Sequence, residues 1–365
     1  MRSEHVAVHR RGDVATLVDE DADSAFRLDE VAATIAERLA APTTLGTVCD
    51  RVGAEFEVDA ERCAAEVERF VGELADRGYV EPYGASPTET VLRRRYLDLL
   101  VRALVNLIYP EHEVRLHHLE RQGPEPERTD TSRKLRDIRY SHAEELADLI
   151  ARKHDGRIWE GKVTRYSHTM VGVRRLENLE RCAARVFADG VPGDFLEAGV
   201  CQGGAAIFLR ALQVAYDEPW RRTWVADSFE GLPVPEHPID ADYDFSETHQ
   251  PWLAADLETV QANFRTYDLL SDAVRFLPGW FRDTLPAAPV EQLAILRIDA
   301  DLYASTRDVL VALYDRVAPG GFVVVDDYWT FDPCRTAVDE FLAEQGVAPA
   351  LRRIDQDATY WRKTE

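Results

Sequence analysis

The sequence predicts an α/β protein, a parallel sheet covered by helices, preceded by a smaller winged-helix-like unit of a β-hairpin and three helices. Three observations predict the larger part. The stretch Asp194–Gly204 reads as a short apolar strand, an acidic residue, a glycine-rich turn and the opening of a helix, Ala205–Tyr216. A second strand, Thr223–Asp227, ends in an acid about thirty positions after Glu197, the spacing of a βαβ unit in a Rossmann-like sheet. Two more apolar runs, Leu293–Ile298 and Gly321–Val325, lead straight into acids, Asp299 with Asp301 and Asp326 with Asp327.

The chain of 365 residues has room for two domains. Its apolar content of 45% and charged content of 30% are ordinary for a soluble globular protein. No apolar run reaches the roughly 18 residues of a membrane span. Met1 to Asp13 is polar, without the apolar stretch of a secretory signal. Cys49, Cys63, Cys182, Cys201 and Cys334 are scattered and form no CxxC pair, as expected of reduced thiols in the cytoplasm. A net charge of −23 argues against nucleic-acid partners, whose binding needs Lys and Arg to neutralise phosphates.

In the N-terminal part, Val14, Leu17 and Val18, an acidic turn from Asp19 to Asp23, then Phe26 and Leu28 read as a hairpin. A helix follows with Val31, Ile35 and Leu39 on one face, ended by Pro42. A second short helix carries Leu45, Val48 and Val52. Asp59 caps a third, whose apolar face is Cys63, Val67, Phe70, Val71 and Leu74, with Gly78 just past its end. Tyr79 and Val80 read as a returning strand. Winged helices often bind DNA, but residues 13–81 hold 18 acidic and 6 basic side chains, a balance of −12. A packing or dimerisation module is the plain alternative, with a homodimer as a possible assembly.

The runs FRLDEVAATIAERL, TTLGTV and VERFVGELADRGYVE resemble PqqD-like proteins, the recognition elements of ribosomal-peptide pathways, across residues 14–82. The resemblance implies that a precursor's leader peptide adds a strand to the hairpin edge near Val14–Val18. It would rest against the helix Glu61–Arg77, with main-chain bonds giving affinity and side-chain pockets selectivity.

Glu81–Thr88 is rich in turn formers and marks the expected boundary between domains 1–85 and 86–365. Tyr96–Ile108 reads as a strongly apolar helix stopped by Pro110, and Gly123–Ser132 as a charged loop. A helix over Ser141–Lys153 and the segment Tyr166–Gly172 lead into the helix Val173–Ala188. In the glycine turn, Gly199 and Gly203 let backbone pass close to a nucleotide-like ligand, and the Glu197 carboxylate suits one that brings cations or hydroxyls. The bland alternative is an ordinary strand–turn–helix. Asp227, with Ser228 beside it, stands where such sheets accept hydrogen bonds from ribose. The long connection Leu232–Ala255 reads as a lid. After a helix (Asp256–Tyr267) and a strand (Ala273–Leu277), Trp280 is placed to stack on an adenine, or else is a core residue. A helix, Cys334–Gln345, and strands Ala350–Ile354 and Thr359–Lys363 complete an antiparallel edge.

Parallel strands align their C-terminal ends, so Asp299, Asp301, Asp326 and Asp327 converge. Unpaired, they repel in a low-dielectric crevice, and Mg²⁺ with its oxygen ligands resolves the repulsion. The competing account has them capping helices or pairing with Arg297 or Arg307.

The runs YLDLLVRALVNLIY, SHTMVGVRRLENL, GDFLEAGVCQGGA and FLPGWFRDTLP resemble the macrocin O-methyltransferase (TylF-like) family, over roughly residues 92–345. The resemblance implies a class I methyltransferase sheet and an enzyme using S-adenosylmethionine and Mg²⁺. It implies that His168, Thr169 and Met170 lie over the methionine part of that cofactor; otherwise Met170 is core filler and His168 a helix cap. It implies metal ligands at Asp299, Asp326 and Asp327, with Asp299 also bordering the cofactor, and Asp301 as general base. The expected function is O-methylation of a precursor peptide held by its leader. One alternative is methylation of a sugar hydroxyl on an antibiotic with residues 1–85 structural. Another is a leader-binding scaffold without catalysis.

Overall fold

The protein is described by a computed structural model covering residues 6–11, 14–19, 24–39, 48–49, 52–53, 56, 60–77, 79–80, 87–120, 138–155 and 167–364. They divide into two compact units, Met1–Arg94 and Arg95–Glu365.

The first unit opens with three antiparallel strands, β1 (Val6–Arg11), β2 (Val14–Asp19) and β3 (Ser24–Leu28), ordered β1-β2-β3. Helices α1 (Glu30–Arg38) and α2 (Ala60–Asp76) follow. Asp29 caps α1 by accepting from the Ala32 N–H at 2.8 Å. Leu17, Leu28, Ile35, Cys63, Val67 and Leu74 share one core. Two expectations are corrected. The hairpin is a three-stranded sheet, because β1 has too few apolar residues to show a period of two in the sequence. The proposed peptide-binding edge, Val14–Val18, is the central strand, paired to both neighbours. Among the described residues, β1 and β3 each pair on one side only. Tyr79 and Val80 are buried but belong to no named strand. Pro42, Leu45, Asp59 and Gly78 lie outside the described residues, as do 81–86 of the expected linker and the expected loop at Gly123–Ser132.

The division between units falls within α3 (Pro87–Leu104). This helix ends before Asn106, which takes a left-handed φ of 53°. Pro110, expected to stop a helix, instead opens α4 (Pro110–Glu120). The reason is positional: at the first helical residue the missing N–H has no partner to lose. Short α5 (Ile138–Ser141), α6 (Ala143–Asp155) and α7 (Val173–Ala188) complete the helical part before the sheet.

The sheet has seven strands: β4 (Asp194–Ala198), β5 (Thr223–Asp227), β6 (Val274–Pro278), β7 (Leu293–Ile298), β8 (Val317–Val325), β9 (Arg352–Arg353) and β10 (Thr359–Arg362). Their order is β6-β5-β4-β7-β8-β10-β9, parallel except for β9 and β10. Successive residues point to opposite faces, and both faces are buried. Phe195, Ile295 and Val324 pack with Leu176 of α7 and with Phe208 of α8 (Gly204–Ala215). Leu196, Leu296 and Val325 pack on the other face with Leu310 of α9 (Tyr303–Leu313) and Phe341 of α10 (Asp332–Glu344). No helix among the described residues is long and apolar enough to cross a membrane.

Candidate active site

The register places every functional strand end on one rim. Ala198 pairs with Ala226 and Ile298, and Ile298 pairs with Val325. Chain order reverses between β4 and its neighbours β5 and β7, which is where such sheets open a ligand crevice. A cleft lies there. Of the residues expected at the site, Met170, Gly199, Asp227, Ser228, Trp280, Asp299 and Asp301 line it; Glu197, Gly203, Asp326 and Asp327 do not.

Two glycines let the walls close up. Gly199 has φ +85°, and a Cβ there would sit 1.7 Å from the Asp299 carbonyl oxygen. A Cβ on Gly204 would sit 2.2 Å from the His168 carbonyl oxygen, so the start of α8 lies directly under the His168–Met170 segment. Asp227 accepts the Val200 N–H at 2.7 Å and the Phe229 N–H at 2.8 Å, one on each carboxylate oxygen. The Ser228 hydroxyl also donates to Oδ1, at 3.4 Å. Burial nevertheless raises the Asp227 pKa. Trp280 is half-buried rather than a core residue.

His168 does not cap α7; Gly172 stands at that position. His168 Nδ1 instead meets the Tyr267 hydroxyl at 2.6 Å, and its N–H donates to the Leu104 carbonyl. Behind this segment lies a buried group that sequence reasoning missed. The Lys153 ammonium donates to the Val105 carbonyl (2.5 Å), Glu113 Oε1 (2.7 Å) and Ser167 Oγ (3.0 Å).

The expected lid, Leu232–Ala255, is folded rather than structureless. It carries 3₁₀ turns at Pro238–Asp240 and Pro251–Leu253. Buried Asp240 accepts the N–H groups of Tyr303 (2.7 Å) and Ala304 (3.2 Å), pinning the segment to the start of α9.

The carboxylates split into two sets. Ligand oxygens of Asp299, Asp301 and Asp327 lie within 4.8 Å of one another. Asp326 faces two buried arginines: Oδ1 accepts from Arg297 Nη2 at 2.6 Å and Oδ2 from Arg175 Nη1. Arg297 also pairs with Glu197 and, at 2.9 Å, with Asp299. Arg175 also holds Asp355, at 2.7 Å, and Asp357. The competing account therefore holds for Arg297, whereas Arg307 pairs with Glu344. Sequence reasoning missed Arg175, Asp355 and Asp357. The one available signal was a guanidinium on the mostly apolar face of α7 that also carries Asn178.

Electrostatics follow from this split. Burial alone would raise Asp326, but Arg175 and Arg297 hold it below the usual carboxylate range. Burial, together with Asp326, pushes Asp299 up to about 6; burial, together with Asp299, pushes Asp301 up to about 8. Asp327 is also raised, by burial and then by Asp301, and its Oδ2 has no hydrogen-bond partner. Three oxygen donors that resist ionising together, one of them orphaned, fit a hard divalent cation. Arg297→Met leaves Glu197, Asp299 and Asp326 short of a counter-charge. It should cost about 3–5 kcal/mol in a denaturant titration, and a loss below about 1 kcal/mol would show that the network is not holding the rim together.

A doubly wound sheet with a cleft at its switch point and an acid ending its second strand defines an α/β protein built to hold a nucleoside-bearing ligand there. Residues 93–363 match the profile of macrocin-O-methyltransferase (TylF). A tetracenomycin rhamnosyl 4'-O-methyltransferase of Streptomyces olivaceus is 43% identical over 275 residues, 74% of this chain and 94% of that protein. Demethyldecarbamoylnovobiocin O-methyltransferase of Streptomyces niveus is 42% identical over 273 residues, 74% of this chain and 93% of that protein. The solved O-methyltransferase NovP is 39% identical with a TM-score of 0.61, covering 75% of this chain and 100% of its own. The chain belongs to the macrocin-O-methyltransferase (TylF) family and is an S-adenosylmethionine-dependent O-methyltransferase. Residues 14–80 match the profile of coenzyme PQQ synthesis protein D (PqqD).

Proposed function

We propose that this enzyme methylates a sugar hydroxyl on a natural product, with a divalent cation in attendance. The observation that carries the chemistry is the trio Asp299, Asp301 and Asp327 at one cleft rim. The acceptor class is supported by relatives named for sugar or antibiotic methylation, including mycinamicin III 3''-O-methyltransferase of Micromonospora griseorubida, 48% identical over 202 residues.

S-adenosylmethionine supplies an electrophilic sulfonium methyl, and methyl transfer needs mainly the alignment of acceptor and donor. Asp227 would accept from its ribose hydroxyls, with Gly199 leaving room beside them. Met170 and Trp280 would border it. Asp299 and Asp327 would hold Mg²⁺, which lowers the pKa of a bound hydroxyl and fixes its direction. Asp326, with both oxygens engaged by arginines, would steady Asp299 through Arg297 rather than ligate. Asp301, at the cleft wall, would take the hydroxyl proton. Val234, Pro235 and Phe281 supply an apolar wall to the cleft.

The test is transfer of labelled methyl to a panel of acceptors: a rhamnosylated aglycone, a leader-bearing peptide and a glycosylated leader-bearing peptide. The expected result is methylation of the sugar-bearing acceptors, lost with EDTA and restored by Mg²⁺. Transfer indifferent to EDTA would remove the cation from the mechanism.

The PqqD match favours a second reading, in which the acceptor is borne by a ribosomal peptide. A leader would add a strand to β1 or β3, the strands with one partner each. Tethering would then raise the effective concentration of the acceptor. Under this reading, attaching the leader raises the transfer rate at low acceptor concentration; equal rates with and without it exclude the reading.

A further inference from the structure

We propose a second metal site, on the outer helices of the catalytic unit, where His118, His142 and Glu145 bind one transition-metal ion of the Zn²⁺ type. His118 lies in the last turn of α4, His142 between α5 and α6, and Glu145 in the first turn of α6. One ligand atom from each lies within 4.8 Å of the other two. His118 Nε2 and Glu145 Oε2 are 2.8 Å apart, and the two imidazole centroids 4.3 Å. Bond lengths of about 2.0–2.2 Å in a tetrahedral site put ligand atoms about 3.3 Å apart, so the 2.8 Å pair has to open slightly and any pair near the 4.8 Å bound to close up. The side chains have the freedom to do so: His118 is 29% exposed and Glu145 42%.

His118 is hydrogen-bonded to Glu145, and His142 lies against the His118 ring and beside Ser141. The two rings are tilted by 49°, and an ion among the three side chains would draw on both imidazoles. Ser141 Oγ lies 2.8 Å from His142 Nδ1. With Nδ1–H donating to Ser141 Oγ, the other ring nitrogen would be left for the ion. Two imidazoles and one carboxylate suit Zn²⁺, Co²⁺ or Ni²⁺ rather than Mg²⁺, and water completes the coordination. The donor set thus separates this site from the all-oxygen trio in the cleft. Helices α4 and α6 also carry Glu113 and Lys153, the buried pair that reaches Ser167 beside the His168–Met170 segment. An ion at His118 would clamp the same two helices at a second point.

The experiment uses the untagged full chain, stripped with a chelator and returned to excess Mg²⁺ to occupy the cleft trio. It is then titrated with Co²⁺, followed by Zn²⁺. The expected result is stoichiometric Co²⁺ binding with the visible bands of a tetrahedral N/O site, displaced by Zn²⁺, and a raised unfolding midpoint. His118→Ala and Glu145→Gln should each weaken Zn²⁺ binding by about tenfold or more. Asp327→Asn should leave it unchanged. If His118→Ala does not fold, the surface isostere Glu145→Gln decides. No stoichiometric binding, equal binding by wild type and Glu145→Gln, or loss of binding in Asp327→Asn overturns the site.

Discussion

Asp301→Asn is expected to lower the methyl-transfer rate by roughly 10²–10⁴-fold, the range for losing a general base, while S-adenosylmethionine binding stays close to wild type. The backbone accommodates the substitution. Asp301 sits at φ +53°, a left-handed backbone that Asn tolerates nearly as well as Asp. The amide keeps the shape of the carboxylate and removes its basicity. Single-turnover rates and calorimetric binding of the cofactor separate the two effects. A variant with near-normal turnover would take the base role away from Asp301, and one that fails to bind cofactor would make it a structural residue.

Gly199→Ala should be more damaging to the folded state than any surface alanine substitution. Its Cβ would collide with the backbone of Asp299, 1.7 Å from the carbonyl oxygen, and backbone cannot swing aside as a side chain can. The clash joins β4 to β7 at the rim, so relieving it moves the glycine turn away from the carboxylates. We expect a loss of more than about 4 kcal/mol, or no soluble protein, by chemical denaturation. Gly190→Ala is the control. That glycine is also left-handed, at φ +62°, but its Cβ would meet nothing within 4 Å, so only about 1–2 kcal/mol of backbone strain is expected. Equal losses at the two positions would show that strain, not the close approach of β4 and β7, is what matters.

The sheet and its rim were legible because their signals are local. Leu293–Ile298 and the end of β8 are apolar runs that stop at acids, and parallel pairing brings such ends together without further information. The partition of those acids was not legible. It depends on Arg175, which lies 151 residues from Asp326 in sequence and reaches it only once α7 packs against the sheet. Arg297 was visible as a charge inside a buried strand. Its pairing with three carboxylates at once could be read only from the strands on either side. At the other end of the chain, β1 escaped notice because Val6, Ala7 and Val8 are too short a signal beside His9, Arg10 and Arg11. Its absence from the expected sheet turned a central strand into a supposed edge. Pro110 misled for a related reason: proline ends a helix or begins one, and only the chain on both sides decides.

Asp240 ties the middle of the 232–255 segment to the first turn after Asp301. The 232–255 wall of the cleft and the turn that carries Asp301 are therefore one mechanical piece. Exchanging Val234 or Pro235 would reshape the doorway while the anchor keeps the chemistry in register, so selectivity is free to drift from one acceptor to another without retooling the reaction beneath it.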